Sequence, residues 1–347
     1  MFEQLPLWIH AAVFAGAAVV VWLAGTRIAG YADAIARKTG IGHATVGLLL
    51  LAGITSLPEV AVTVTASATG NAQLAVNNLL GSVAMQVAIL AVADAVIGRD
   101  ALTSVIPDPV VLLQIALNTL VLAIVAAAVI SGDHGVFGVG VWSIVLFAVY
   151  VASIWLITKS SKSQGRHSWV AEPEIAPVRQ GSDAAHEDGK RSLRALALRT
   201  AAGAAVILVA GFLLSKTGEA IAAQTGLGQS LGGFLLLAIS TSLPEVSTVI
   251  ASVRRGRYVM AVSDIFGTNL FNGGLVLVVD AFYRGGPVLN EVGDFAALAA
   301  LLGIVVSVLF LVGLIERRDR TFLRMGYDSL AVLVAYVGGV ALLFTLD

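Results

Sequence analysis

The 347-residue chain has no cysteine and little charge. The first absence excludes disulfides, thiolate metal centres and cysteine nucleophiles. Asp, Glu, Lys and Arg together make up only 12% of the residues, too few to solvate the surface of a soluble domain of this length. No H-E-x-x-H or Walker sequence occurs, so zinc proteolysis and ATP drive lack a motif. The five histidines (His10, His43, His134, His167 and His186) fall at the ends of apolar runs or in a polar stretch. The net charge of −1 identifies no partner, and no nucleic acid is expected.

What is abundant is apolar sequence, at 58% of the chain. Runs of roughly 20 apolar residues, each long enough to cross a hydrocarbon core of about 30 Å, recur from end to end. Ten are legible, near 7–25, 44–68, 74–97, 105–130, 134–158, 196–218, 228–252, 258–283, 292–314 and 323–345. The fold class expected is all-α: a polytopic membrane protein of about ten transmembrane helices in two inverted five-helix repeats. The first run has no basic n-region or cleavage site, so it is expected to be a retained span and not a signal peptide.

Charge is sorted by side. With an extracytoplasmic N-terminus and ten spans, Arg27, Arg37, Lys38, Arg99, Arg254, Arg255, Arg257, Arg317, Arg318, Arg320 and Arg324 fall in cytoplasmic loops or their margins. So does every Lys and Arg from Lys159 to Arg199, leaving Lys216 and Arg284 on the other side. The positive-inside rule selects this orientation. Both termini are expected to be extracytoplasmic, and the protein to lie in the plasma (inner) membrane.

The longest polar stretch, 159–195, mixes Ser, Gly, Pro, acids and bases without an apolar period. It reads as a flexible cytoplasmic linker, with no EF-hand spacing among its acids. It divides the chain into two halves, 1–158 and 196–347, of five spans each. Residues 47–95 and 233–281 align without a gap at an offset of 186, with 18 identities in 49 pairs. The offset pairs Gly81 with Gly267, Ser82 with Thr268, Gln86 with Asn272, Asn78 with Asp264, and Asp94 with Asp280. Because five is odd, the second half enters the membrane from the opposite side, the plan that suits alternating access to a midplane site.

Each copy contains T-S-L-P-E, at 55–59 and 241–245. A glutamate inside a span is expensive, on the order of 2.5–3.5 kcal/mol on insertion scales. Pro58 and Pro244 cannot donate to the carbonyls of Ile54 and Ser240, and they disrupt those turns. Broken backbone at membrane depth is tolerated only where protein or a wet cavity satisfies it. Thr, Ser, Glu and freed carbonyls within one turn make the dense oxygen set that Na⁺ and Ca²⁺ require. The alternative is a proline kink whose neutral glutamate hydrogen-bonds a neighbouring helix. The second element is G-S-V-A-M-Q at 81–86 and G-T-N-L-F-N at 267–272. Its small residues permit close helix approach, and Ser82 with Gln86, like Thr268 with Asn272, share a helix face. That face offers oxygens to the glutamates, or serves ordinary interhelical hydrogen bonding. Asp264 is left as a ligand, a proton carrier or a residue of the cytoplasmic entry.

These paired hairpins resemble the alpha repeats of the sodium/calcium exchanger, or cation/Ca²⁺ antiporter, superfamily. The resemblance implies that Glu59 and Glu245 are central cation ligands. It further implies that Thr55, Ser56, Thr241, Ser242 and the carbonyls of Ala52 and Ala238 serve flanking Na⁺ sites, completed by Ser82, Thr268, Gln86 and Asn272. Many relatives carry Asp at the position of Asn272.

The function expected is therefore a secondary antiporter, not an enzyme, exchanging Ca²⁺ for Na⁺ or H⁺. Inorganic cations are its cargo, the bilayer is its medium and no cofactor is needed. A cation channel and an intramembrane acid–base enzyme are the alternatives. With Glu59 and Glu245 alone the site carries a charge of at most minus two, so a two-for-one electroneutral exchange is expected.

Overall fold

The computed structural model describes residues 5–97, 102–104, 106, 108–136, 138–163, 191–226, 238–316, 321–322 and 325–344. Inside a bilayer an apolar run satisfies its backbone only by forming a helix, and helices dominate. They are α1 (Leu7–Thr39), α2 (His43–Thr55), α3 (Leu57–Ala68), α4 (Ala72–Ile97), α5 (Pro109–Ser131), α6 (Val141–Ser163), α7 (Leu193–Gln224), α8 (Leu243–Arg254), α9 (Tyr258–Phe282), α10 (Gly293–Glu316) and α11 (Tyr327–Phe344). Among the described residues seven helices are long and apolar enough to cross a membrane. The bent pair α2–α3 would make an eighth, and α11 is a shorter apolar helix. The run near 228–252 is described only from residue 238, and most of the 159–195 stretch, residues 164–190, lies outside the described residues.

Three runs differ from their expected form. The run 44–68 is not one helix: it bends by 47° between α2 and α3. The runs 134–158 and 323–345 open with β-hairpins. In the first, Gly135–Val136 pair antiparallel with Val139–Gly140; in the second, Thr321–Phe322 pair with Met325–Gly326. Gly138, with φ 83°, supplies the left-handed residue that the first turn needs. Helices α6 and α11 therefore start several residues late. Helices α1 and α7, at 33 and 32 residues, overrun their apolar stretches at the end where polar residues gather.

The 186-residue offset reaches well beyond the motif hairpins. It carries the first residue of α1 onto that of α7, of α4 onto that of α9, of α6 onto that of α11, and of each β-strand onto its counterpart. It also relates two cross-ties. Asp94, near the end of α4, accepts from the backbone N–H of Leu102 at 2.6 Å and of Gly326, in the other half, at 2.7 Å. Asp280, near the end of α9, accepts from Val288 N at 2.9 Å and from Gly140 N, in the other half, at 2.7 Å. Each carboxylate thus joins the loop of its own half to the β-hairpin of the other through charge-assisted hydrogen bonds, the stronger kind.

Close backbone approach sets the helices against one another. Among the described residues, helices α1 and α7 make the most extensive pairing. Each also receives a proline-bearing segment of the opposite half. A Cβ on Gly211 of α7 would lie 2.3 Å from Pro58 Cγ, and one on Gly25 of α1 would lie 1.8 Å from Ser247 Oγ. The same offset relates the two glycines. Large apolar side chains such as Trp8, Ile130 and Val334 remain exposed on the outside, where lipid is the solvent.

Candidate functional site

The site begins at the break between α2 and α3. Proline cannot donate a backbone hydrogen bond, and Pro58 stands at the first turn of α3, where that lack is harmless. The preceding turn is rearranged as well: residues Gly47–Leu51 form a π-helical turn, a device common at functional sites. It presses against α9. A Cβ on Gly47 would sit 2.5 Å from Met260 O, and one on Gly267 would sit 2.8 Å from Leu48 O. The second copy repeats the design: residues 238–241 are helical, Ser242 interrupts, and Pro244 opens α8.

Both glutamates are fully buried, and neither oxygen of Glu59 or of Glu245 has a hydrogen-bond partner among the described residues. The two carboxylates are close enough for their charges to interact, as are those of Glu245 and Asp264. The Thr, Ser and Pro of each T-S-L-P-E are buried too, along with Ala52 and Ala238, whereas Leu57 and Leu243 are partly exposed. Thr55 Oγ1 donates to Leu51 O at 3.1 Å and Ser56 Oγ to Ala52 O at 2.7 Å. Thr241 Oγ1 donates to Ala238 O at 3.2 Å, whereas Ser242 Oγ has no partner among the described residues. The Ala52 carbonyl also receives the Ser56 N–H at 3.1 Å and the Ala238 carbonyl the Ser242 N–H at 3.0 Å. Hydroxyls and carbonyls are thus gathered in each break, largely bonded to one another.

The second motif element joins the first across the two halves. Asn272 Nδ2 donates to Ser82 Oγ at 3.1 Å, and Thr268 Oγ1 lies 3.5 Å from Thr55 Oγ1. Gln86 is buried with both amide atoms unpartnered among the described residues, and so is Asn272 Oδ1. Asp264, one turn before Thr268 on α9, is fully buried and accepts from Thr248 Oγ1, with Thr55 Oγ1 at 3.5 Å. Every candidate ligand named from the sequence is therefore buried, and Thr55 of α2 meets Thr268 and Asp264 of α9.

Thr248 was not foreseen. It lies three residues after Glu245, on the same face of α8, and its partner at the repeat offset is Val62. Its position beside Glu245 is the one signal that marks it. A cluster of carboxylates, hydroxyls and amides in this water-poor interior is costly without a positive guest. With one, it supplies the oxygen ligands that hard cations prefer.

Comparison with known proteins agrees with that chemistry. The family described as sodium/calcium exchanger protein matches residues 9–159 and 196–345. A putative antiporter, CaxA, of Alkalimonas amylolytica is 26% identical over 336 residues, covering 96% of this chain and 98% of its own. The inner membrane protein YrbG of Escherichia coli (strain K12) is 28% identical over 306 residues, covering 86% of each. The solved structure of the sodium-calcium exchanger NCX_Mj soaked with 10 mM Na⁺ and zero Ca²⁺ superposes with a TM-score of 0.70 at 18% identity, over 97% of this chain and 99% of that one. At that identity the likeness is one of fold.

Proposed function

Because the chain belongs to the sodium/calcium exchanger protein family, a cation antiporter of the membrane, we propose that it exchanges Ca²⁺ for Na⁺ or H⁺ at a site built on Glu59 and Glu245. The observation that carries this reading is the pair of buried carboxylates, unpartnered among the described residues, at two proline-broken helices of equivalent position. Hydroxyls of Thr55, Ser56, Thr241, Ser242, Ser82 and Thr268, amides of Gln86 and Asn272, and the carbonyls of Ala52 and Ala238 complete the ligand set. The halves 1–158 and 196–347 insert in opposite senses, so the site opens to each side in turn. The 159–195 linker and the arginine hairpin at 254–257 face the cytoplasm of a plasma (inner) membrane, and both termini face outward.

Charge sets the stoichiometry. A site that changes access does so most readily when neutral, since uncompensated charge in the membrane interior is costly. Glu59 and Glu245 alone would match one Ca²⁺ to two monovalent ions. Asp264, hydrogen-bonded by Thr248 and close to Thr55, adds a third carboxylate beside Glu245. With all three ionised the site takes three monovalent ions, and exchange against one Ca²⁺ then moves net charge.

The test is Ca²⁺ flux in proteoliposomes under separately imposed Na⁺ and proton gradients, with valinomycin and K⁺ gradients setting the potential. Flux should depend on one of the monovalent gradients, and its equilibrium should shift by about 2.3 kcal/mol per 100 mV for each net charge moved. Asp264→Asn should remove that shift. A voltage-independent equilibrium in the parent would reduce the site to two carboxylates. Conductance without exchange against a trans cation would sink the antiport reading.

A further inference from the structure

A second pair of carboxylates lies well away from the glutamates, at the end of α9 opposite the arginine hairpin. Asp133, between α5 and the first β-hairpin, is 7% exposed, and Asp280 is fully buried. Asp280 is occupied by the backbone N–H groups of Val288 and Gly140. Asp133 Oδ1 accepts from His134 N at 2.8 Å and Trp142 N at 3.1 Å. Its position is held from the second half: Asp133 N donates to Asn290 Oδ1 at 2.7 Å, and Asn290 Nδ2 donates to Asp133 O at 2.9 Å.

Asp133 Oδ2 is different. It is buried and has no hydrogen-bond partner among the described residues. It points at the space above Gly140: a Cβ there would lie 2.0 Å from Asp133 Oδ2 and 2.9 Å from Asp280 Oδ2. Two carboxylate oxygens from opposite halves of the chain thus crowd one small gap, and only glycine keeps that gap open. No ion pair reaches either carboxylate among the described residues. Like charges so placed, screened from water, repel unless a positive guest lies between them. Two carboxylates balance one divalent ion, and the remaining ligands that a hard cation needs are carbonyl and water oxygens.

We propose that Asp133 and Asp280 form a second cation site, distinct from the exchange site, that takes a divalent hard cation such as Ca²⁺ on the outer face. Bound there, the ion ties the α5–α6 hairpin of the first half to α9 of the second, beside the Asp280 cross-tie. Extracellular Ca²⁺ modules bind at about 10⁻⁴–10⁻³ M, so on this face the site would be filled by the ion that the exchanger expels. The proposal does not depend on the identity of the exchange-site ligands.

The full chain carrying Glu59→Gln and Glu245→Gln separates the two sites, since it lacks the exchange-site glutamates. Within it, Trp8→Phe, Trp22→Phe, Trp155→Phe and Trp169→Phe leave Trp142, whose backbone bonds Asp133, as the sole tryptophan. Tb³⁺ excited through Trp142 should luminesce, and Ca²⁺ should displace it with a midpoint of about 10⁻⁴–10⁻³ M. Asp133→Asn should abolish the signal. In the double-glutamine chain with its native tryptophans, Ca²⁺ should raise the unfolding temperature in detergent over the same range, a readout that needs no substitution at the new site. Unchanged luminescence in Asp133→Asn, no displacement by Ca²⁺, or an unfolding temperature that is indifferent to Ca²⁺ would each overturn the proposal. Loss of exchange in the double-glutamine chain with retained Ca²⁺ stabilisation would support both sites separately.

Discussion

The tips of the two motif hairpins share a backbone and differ in almost every side chain. In the first, Gly70 N donates to Ser67 O at 3.0 Å and Asn71 N to Ala66 O at 2.8 Å. In the second, Gly256 N donates to Val253 O and Arg257 N to Ser252 O, each at 2.9 Å. Gly70 and Gly256 both adopt positive φ, 84° and 69°, which is why glycine recurs there. Beyond the backbone the tips part company. Asn71 caps its own following helix through Leu74 N at 3.0 Å. Arg257 Nε instead reaches the buried Asp33 of α1 at 2.6 Å, where Arg37 and His43 also converge at 2.9 and 3.0 Å. The geometry of a repeat and its electrostatics are therefore separable: the glycine of the tip is copied between halves, while its charged side chains are not.

The most direct way to break that comparison is topological and all-or-none. Single cysteines in the cysteine-free chain at Asn71 and Arg254 should differ in intact cells, with Asn71→Cys labelled by an impermeant reagent from outside and Arg254→Cys protected. Labelling of both, or the reverse pattern, would show that the halves do not insert in opposite senses.

If the centres of the two repeats are equivalent where the tips are not, Glu59→Gln and Glu245→Gln should each lower Ca²⁺ exchange by on the order of 10²-fold or more, from lost attraction for a divalent ion. Radiolabelled Ca²⁺ flux measures both. A large loss in one variant with wild-type flux in the other would make the centre as asymmetric as the tips.

The smallest effects belong to the tips themselves. Asp33→Asn leaves two arginines without a carboxylate and should cost about 1–3 kcal/mol of stability. Asn71→Ala removes one exposed cap and should cost about 1 kcal/mol or less. Thermal unfolding in detergent compares them; equal losses would mean that the charged tip carries no more than the neutral one.

Much of the central design was legible because it is local. T-S-L-P-E marks a helix break wherever it occurs in an apolar run, and its recurrence at one offset marks a repeat. The hairpins at 135–140 and 321–326 were hidden because two-residue strands at a span's edge, Gly-Val and Val-Gly in the first and Thr-Phe and Met-Gly in the second, are too short to show an alternating pattern beside the apolar helix that follows. The π-turn at Gly47–Leu51 carried no signal in the run of leucines; the contact of Gly47 with Met260 reveals its use. Thr248 escaped because its repeat partner is a valine.

Local chemistry, then, was determined by sequence alone. Proline ends a hydrogen-bond ladder, glycine opens a left-handed turn, and a buried carboxylate demands a partner, whatever surrounds them. Which partners meet was decided only in the tertiary structure. Asp94 finds Gly326, Asp280 finds Gly140, Asp133 faces Asp280 and Asp33 finds Arg257 across separations of more than 100 residues. Such meetings depend on how whole helices pack, because angstrom differences in close approach, at Gly25, Gly47, Gly140, Gly211 and Gly267, determine whether two polar groups touch. A linear pattern records that each group needs a partner, and the packing of the two halves decides which groups receive one from the protein.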